Sequence, residues 1–341
     1  MKYYLCIIAL YCAIIVQAQP SLNRLLNLRN TVEDQSEILK GENIDEKIKK
    51  NFFLKAEVSK TECYVGEVIM ATFKAYSRLN ASSRVVKRPA LTGFSVMEMV
   101  DAYNSEPDVE TVNKTAYNMH LIRKVQLFPL QAGSFSLEPA VVESDILFRN
   151  PKTTKNISLE TPAITITVKP LPEKNQPDSF SGAVGNFYIV LKMANQLPYQ
   201  YDPVSVKLII GGTGNFPLIT DPDISWPVGT GASRPQVTEV LNKYVFPLSG
   251  EKIFEYSLET RATGDFIIPS VSFTYFDPGD AKYKKAVTES IHYTVKKDKR
   301  KINLEKIIRH PRQIPLQYYY FGVIVLGIAG WIIYLLVRSK K

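Results

Sequence analysis

Two stretches about 130 residues apart carry the same punctuation, and this repeat constrains the fold more than any other feature of the chain. Gln126-Leu-Phe-Pro-Leu-Gln-Ala-Gly-Ser-Phe-Ser-Leu-Glu-Pro-Ala-Val-Val142 parallels Leu258-Glu-Thr-Arg-Ala-Thr-Gly-Asp-Phe-Ile-Ile-Pro-Ser-Val-Ser-Phe273. Gly133 and Phe135 are answered by Gly264 and Phe266, and Pro139 by Pro269. Upstream, Pro89-Ala-Leu-Thr-Gly-Phe-Ser-Val96 parallels Pro222-Asp-Ile-Ser-Trp-Pro-Val228. In each copy the glycine permits a tight turn, the phenylalanine enters a core, and the proline sits where no ladder donor is lost. Two copies of one module follow.

Within each copy, short runs rich in β-branched and aromatic residues alternate with Gly, Pro, Asn and Asp. Val68-Ile-Met-Ala-Thr-Phe-Lys-Ala75, Ala163-Ile-Thr-Ile-Thr-Val168 and Val204-Ser-Val-Lys-Leu-Ile-Ile210 are examples. Apolar and polar residues alternate in several of them, as they do when one face packs and the other meets water. The prediction is an all-β chain of tandem immunoglobulin-like β-sandwich modules, 51–169 and 181–295, joined by a proline-rich linker at 170–180. Residues 19–50 are charged and weakly patterned and read as a flexible or marginally helical lead-in.

Both ends of the chain are apolar. Tyr318 to Val337 is long enough to cross a bilayer as one helix, so 316–337 reads as a transmembrane helix and 338–341 as a cytoplasmic tail. At the start, Lys2, an apolar run from Tyr3 to Val16 and the small-residue pattern ending at Ala18 read as a signal peptide over 1–18. Lys296, Lys297, Lys299, Arg300, Lys301, Lys306, Arg309 and Arg312 make 296–315 a basic juxtamembrane segment. It suits either anionic headgroups or a solvated spacer. Much of the formal +9 net charge lies there, with no aromatic-interleaved groove beside it, so nucleic acid is not an expected partner and membrane lipid is. Tyrosines 318 to 320 fit a membrane-interface belt.

The chain is poor in catalytic chemistry. Its three histidines, at 120, 292 and 310, have no partner at metal-ligand spacing, so catalytic, metal and cofactor sites are all expected to be absent. Asp277 and Asp280, around Pro278-Gly279, fit a calcium loop or, more simply, a polar turn. Cys63 is alone in the mature chain and reads as a small buried side chain. Gly211-Gly-Thr-Gly214 resembles a phosphate-cradling loop, but Asn215-Phe-Pro-Leu-Ile behind it makes a poor helix start. The segment Gly211, Gly212, Thr213, Gly214, Asn215 and Phe216 is therefore expected to be a strand-to-strand loop that presents Asn215 to a protein partner. Phe216 and Trp226 serve as apolar anchors or as core. The segment Ala102 to Lys114 is a second candidate contact.

These parts together resemble the BatD-like family associated with aerotolerance in bacteria. The residues that carry the likeness are Val65-Gly66-Glu67, the run from Phe128 to Pro139, Gly185-Asn186-Phe187, and Ile210 to Pro222 with its Gly-Thr-Gly-Asn segment. The resemblance implies a non-enzymatic scaffold or adaptor supporting oxygen or oxidative-stress tolerance. It implies a bacterial inner-membrane location with the modules in the periplasm. It also implies von Willebrand A-type membrane proteins and a MoxR-type AAA+ ATPase as partners. The alternative from another class is a surface adhesin or carbohydrate-binding protein, for which Tyr199, Tyr201, Tyr318 and Tyr319 would be the aromatic platforms.

Overall fold

In the computed structural model, residues 32–100, 107–297 and 316–338 are described. The expected signal peptide and the last residues of the tail lie outside them, as do most of the juxtamembrane segment and part of the lead-in.

The first module begins with a helix, α1 (Ile44–Asn51), and continues through eleven strands: β1 (Phe52–Val58), β2 (Glu62–Tyr64), β3 (Ile69–Ser77), β4 (Ala81–Lys87), β5 (Phe94–Glu98), β6 (Asp108–Val112), β7 (Thr115–Pro129), β8 (Gly133–Leu137), β9 (Val141–Arg149), β10 (Lys152–Glu160) and β11 (Ile164–Lys169). One sheet runs β1-β3-β7-β5, with β6 also on β7. The facing strands form β2-β11-β8 and β10-β9-β4. Phe73, Val125 and Leu127 from the first sheet meet Cys63, Leu137, Ile166 and Val168 from the second in one buried cluster.

The second module holds β12 (Phe180–Met193), β13 (Val204–Gly214), β14 (Thr230–Ala232), β15 (Gln236–Asn242), β16 (Ser249–Thr260), β17 (Gly264–Ile268), β18 (Ser272–Asp277), β19 (Lys282–Val287) and β20 (Ile291–Val295). β12 divides its pairing: its start runs parallel to β18, and from Gly185 onward it is antiparallel to β13. Strand pairs recur between the modules. β1·β3 matches β12·β13, β3·β7 matches β13·β16, β8·β11 matches β17·β20, and β9·β10 matches β18·β19. The chain is a tandem pair of immunoglobulin-like β-sandwiches. It ends in α2 (Leu316–Arg338), whose window Leu316–Ile333 has a mean hydropathy of 1.6 and is long enough to span a bilayer.

The repeat extends to one hydrogen-bonded detail. Thr161 Oγ1 accepts from Ala140 N at 2.9 Å while Thr161 N donates to Ala140 O at 2.9 Å. Thr288 repeats both contacts with Val271, each at 2.9 Å. Both threonines are buried and precede the last strand of their module by three residues, a signal present in the sequence but masked by the unequal spacing of the copies. Valine at either position keeps the shape but orphans a buried backbone N–H, which costs about 1–3 kcal/mol. Thr161→Val and Thr288→Val should each lower the denaturant midpoint by the corresponding amount.

Of the lead-in expected to be flexible or marginally helical, the described part is partly helical and packs on the first module. Asn43 caps α1, its Oδ1 accepting from Asp45 N (2.9 Å) and Glu46 N (3.2 Å). Acidic residues open the helix and Lys49 and Lys50 close it, complementing the helix dipole. Ile48 packs into a cluster with Phe52, Leu79, Ile146 and Phe148. Ahead of the helix, Ser36 is fully buried, its Oγ accepting from Asn80 N at 2.6 Å. Charged residues hid this segment because most of them face water while a few apolar ones face the module.

Candidate functional site

The glycine-rich segment expected to display a loop is strand instead. Gly211 to Gly214 complete β13, paired with β12 in the register Gly185↔Gly214, Asn186↔Thr213, Phe187↔Gly212 and Tyr188↔Gly211. Gly212 and Gly214 have φ of +142° and +150°, so the unusual backbone is real, but it serves close approach between strands. Asn215 and Phe216 are fully buried, and a single 3-10 turn, Phe216–Leu218, follows. Neither side chain is presented to a partner. The Asn215 amide works inward: Oδ1 accepts from Val184 N at 2.7 Å and Nδ2 donates to Gly182 O at 3.0 Å. The Phe216 ring meets Phe187 edge-on at 5.3 Å in the module core, and Trp226 packs against Tyr256 at 5.2 Å. Composition marked this segment as special, but glycine flexibility reads alike in an exposed loop and in two backbones pressed together.

This segment lies at the junction of the modules. A Cβ on Gly66 (φ +77°) would stand 2.8 Å from Asn215 Nδ2 and 3.0 Å from Val184 Cγ2. Glu67 closes the same turn: Oε2 accepts from Tyr64 N at 3.0 Å, and Oε1 pairs with Lys60 at 2.5 Å. Around it, Val68 and Phe128 of the first module belong to the same buried cluster as the second module's core. Gln126 donates from Nε2 to the carbonyls of Lys243 (3.2 Å) and Val245 (2.9 Å), and Tyr64 meets Phe276 edge-on at 5.0 Å. The linker is held too, since the Tyr283 hydroxyl donates to Pro172 O at 2.9 Å. The two sandwiches are docked on one another rather than strung on a tether.

The other motif residues also serve the fold. Phe135 packs edge-on to Phe94 at 5.6 Å, and Phe266 stacks on Tyr293 at 5.5 Å. Gly133 and Gly264 begin β8 and β17, and Pro139 and Pro269 follow those strands. Cys63 is buried, and burial, with Glu67 nearby, pushes its thiol up to about 11, so it stays protonated at neutral pH. Asp277 and Asp280 both reach Lys284, at 2.6 and 2.5 Å. Burial works to raise the Asp277 carboxyl, but the Lys284 ammonium and the Gly279 N–H hold it below the usual range. The pair forms a charge-compensated turn. Among the described residues there is no group of three or more His, Cys, Asp and Glu placed to hold a metal.

Of the 102–114 segment, the described part is a hairpin. β6 pairs with β7 through a turn at Asn113 and Lys114, and Glu110 is bound by Lys74 and Tyr76, each at 2.6 Å. Residues 101–106 lie outside the described residues. A cleft of about 450 Å³ opens nearby, lined by Asp34, Ser77, Arg78, Arg84, Asn118 and His120. Its cations are already engaged: Arg78 with Glu33 at 3.0 Å and Arg84 with Glu143 at 2.5 Å.

One open surface among the described residues is an edge. β15 pairs only with β16 and exposes Val237 and Val240, with Tyr244 and Val245 beyond its end. The edge strands β10 and β19 carry Lys152 and Lys155, and Lys282, Lys284 and Lys285, which discourage strand addition. β15 has no lysine, and its one charge, Glu239, is paired with Lys252 at 2.9 Å.

No protein-family model matches the chain, and no curated protein matches it. Among solved structures it is similar to the Escherichia coli adhesin FdeC, with 15% identity, a TM-score of 0.19, and 71% of this chain and 64% of that chain covered. It is also similar to the type II cohesin dyad of the adaptor scaffoldin ScaA from Acetivibrio cellulolyticus, with 11% identity, a TM-score of 0.16, and 60% and 77% covered. The D00-D0 domain of intimin matches with 12% identity, a TM-score of 0.14, and 71% and 100% covered. Superpositions this loose do not extend to function, and the fold class rests on the strand pairing itself.

Proposed function

We propose that this protein is a single-pass, membrane-anchored scaffold of the BatD-like kind, working through protein contacts of its β-sandwiches on the extracytoplasmic side of a bacterial inner membrane. The observation that carries the reading is the pair of docked sandwiches on a chain ending in an apolar helix. Val68 and Phe128 of the first module lie in the core cluster of the second, and this contact sets the direction in which the paired modules hold a partner. The contact element we assign is the open edge of β15, to which a partner's extended segment adds. The partners this reading names are von Willebrand A-type membrane proteins and, directly or through them, a MoxR-type ATPase, in support of oxygen or oxidative-stress tolerance. These names rest on the motifs around Gly66, Gly133, Gly185 and Gly214.

The test is a mild-detergent pull-down through a tag after Lys341, with co-purifying proteins identified by mass spectrometry. Recovery of von Willebrand A-type proteins is the expected result, and a monomer without companions would overturn the reading. Val240→Lys places a charge on the open edge, where Val240 is 60% exposed and the fold has little to lose. It should abolish that recovery while leaving the thermal transition of the chain unchanged.

A further inference from the structure

The two ends of the second module have different neighbours. β13 finishes at Gly214 beside the first module and begins at Val204 at the opposite end, close to where the chain leaves β20 for α2. There, hydrogen bonds tie three loops to the exit. Lys296 N donates to Pro198 O (2.8 Å), Gln200 N to Lys296 O (2.8 Å), Tyr201 N to Thr260 O (3.0 Å) and Arg261 N to Gly229 O (3.2 Å). Gln200 Nε2 adds a bond to Arg261 O at 2.5 Å. Among the polar residues of these loops, four large apolar or aromatic side chains stand exposed: Val228 at 97%, Leu197 at 51%, Tyr199 at 45% and Tyr201 at 42%.

Cations accompany it. Lys296 and Lys297 are exposed at the exit, and residues 298–315, with six more Lys and Arg in sequence, are all that separate Lys297 from α2. Arg261, on the same face, is matched by Glu259 at 3.7 Å. Tyrosines and aliphatic side chains beside lysines are the composition that settles at a membrane–water boundary, rings at headgroup depth and ammonium groups toward lipid phosphates.

We propose that this end of the second module, through Leu197, Tyr199, Tyr201 and Val228, rests in the headgroup layer of the anionic bilayer that α2 crosses. The chain is then set on the membrane at two places, the helix and this face. The inference rests on α2 being a membrane span, and its test separates the two.

The experiment uses the full chain with Cys6, Cys12 and Cys63 replaced by alanine and a single nitroxide at Val228→Cys or Leu197→Cys. The chain is reconstituted in nanodiscs of phosphatidylcholine with or without phosphatidylglycerol. Collision rates of the label with oxygen and with a water-soluble nickel chelate report its depth. The ratio of oxygen to nickel collisions should be severalfold higher at both positions than at Thr154→Cys on the first module, and should fall when phosphatidylglycerol is omitted. A ratio equal to that at Thr154, while a label at Ile324→Cys in α2 reads bilayer depth, overturns the surface contact and leaves the anchor standing. Shielding from both reagents at Val228 marks a protein contact and overturns it as well. A water-like ratio at Ile324 removes the anchor and this contact together.

Discussion

Alanine at Gly212 is expected to unfold the second module under conditions where the natural chain is folded. A Cβ there would stand 2.2 Å from Asn186 O and 2.9 Å from Phe187 Cα, and both are backbone atoms of the paired strand that no rotamer change can move. The residue also sits at φ +142°, where a side chain adds strain of about 1–3 kcal/mol before any clash is counted. Relief requires β12 and β13 to separate, and that pairing seats Phe187, whose ring touches Phe216, Phe273 and Tyr275 in the core. The total should exceed about 4 kcal/mol, the range reserved for changes that break a named structural device. Gly231→Ala is the matched comparison, since its Cβ would meet nothing within 4 Å. Denaturant melts followed by far-ultraviolet circular dichroism check both. A Gly212→Ala chain as stable as Gly231→Ala would disprove the close-approach account.

Asn215→Ala should come second in size. The substitution leaves the buried N–H of Val184 and the carbonyl of Gly182 without the partners that Asn215 supplies at 2.7 and 3.0 Å. Orphaning the buried Val184 N–H costs about 1–3 kcal/mol and the half-buried Gly182 carbonyl adds about 1 kcal/mol, for an expected loss of about 2–4 kcal/mol. Because the same amide lies against Gly66, the change should also loosen the junction, seen as earlier proteolysis of the linker around Pro172. Asn156→Ala is the surface comparison. Its amide reaches only the exposed Asp145 at 2.8 Å, and the expected change is within about 0.5 kcal/mol. Equal effects at the two asparagines would disprove the role of the Asn215 amide in holding Val184 and Gly182.

Repeats and alternation made the sandwiches legible because they are local properties: Gly133, Phe135 and Pro139 and their counterparts at 264, 266 and 269 mark turns and strand ends wherever the chain goes next. The candidate site was not legible in the same way. Gly211 to Phe216 stood out in composition, but its placement depends on β12 arriving alongside β13 and on the first module covering the end of the second. Burial of Asn215 is a property of that arrangement and not of its neighbours in sequence. The lead-in shows the same limit, since α1 is held by Leu79, Ile146 and Phe148, none of them near it along the chain.

What the sequence alone determined, then, was what short-range patterning can encode: two β modules, the turns within them, and an apolar terminal helix long enough to span a bilayer. Only the tertiary structure decided that the modules dock through Gly66, Gln126 and Asn215. It also decided that the β15 edge and the exit face around Val228 are exposed. The reason is physical. Burial and exposure are set by which strands meet, through contacts between residues more than a hundred positions apart, such as Gln126 with Lys243 and Val245, and no local pattern carries that information.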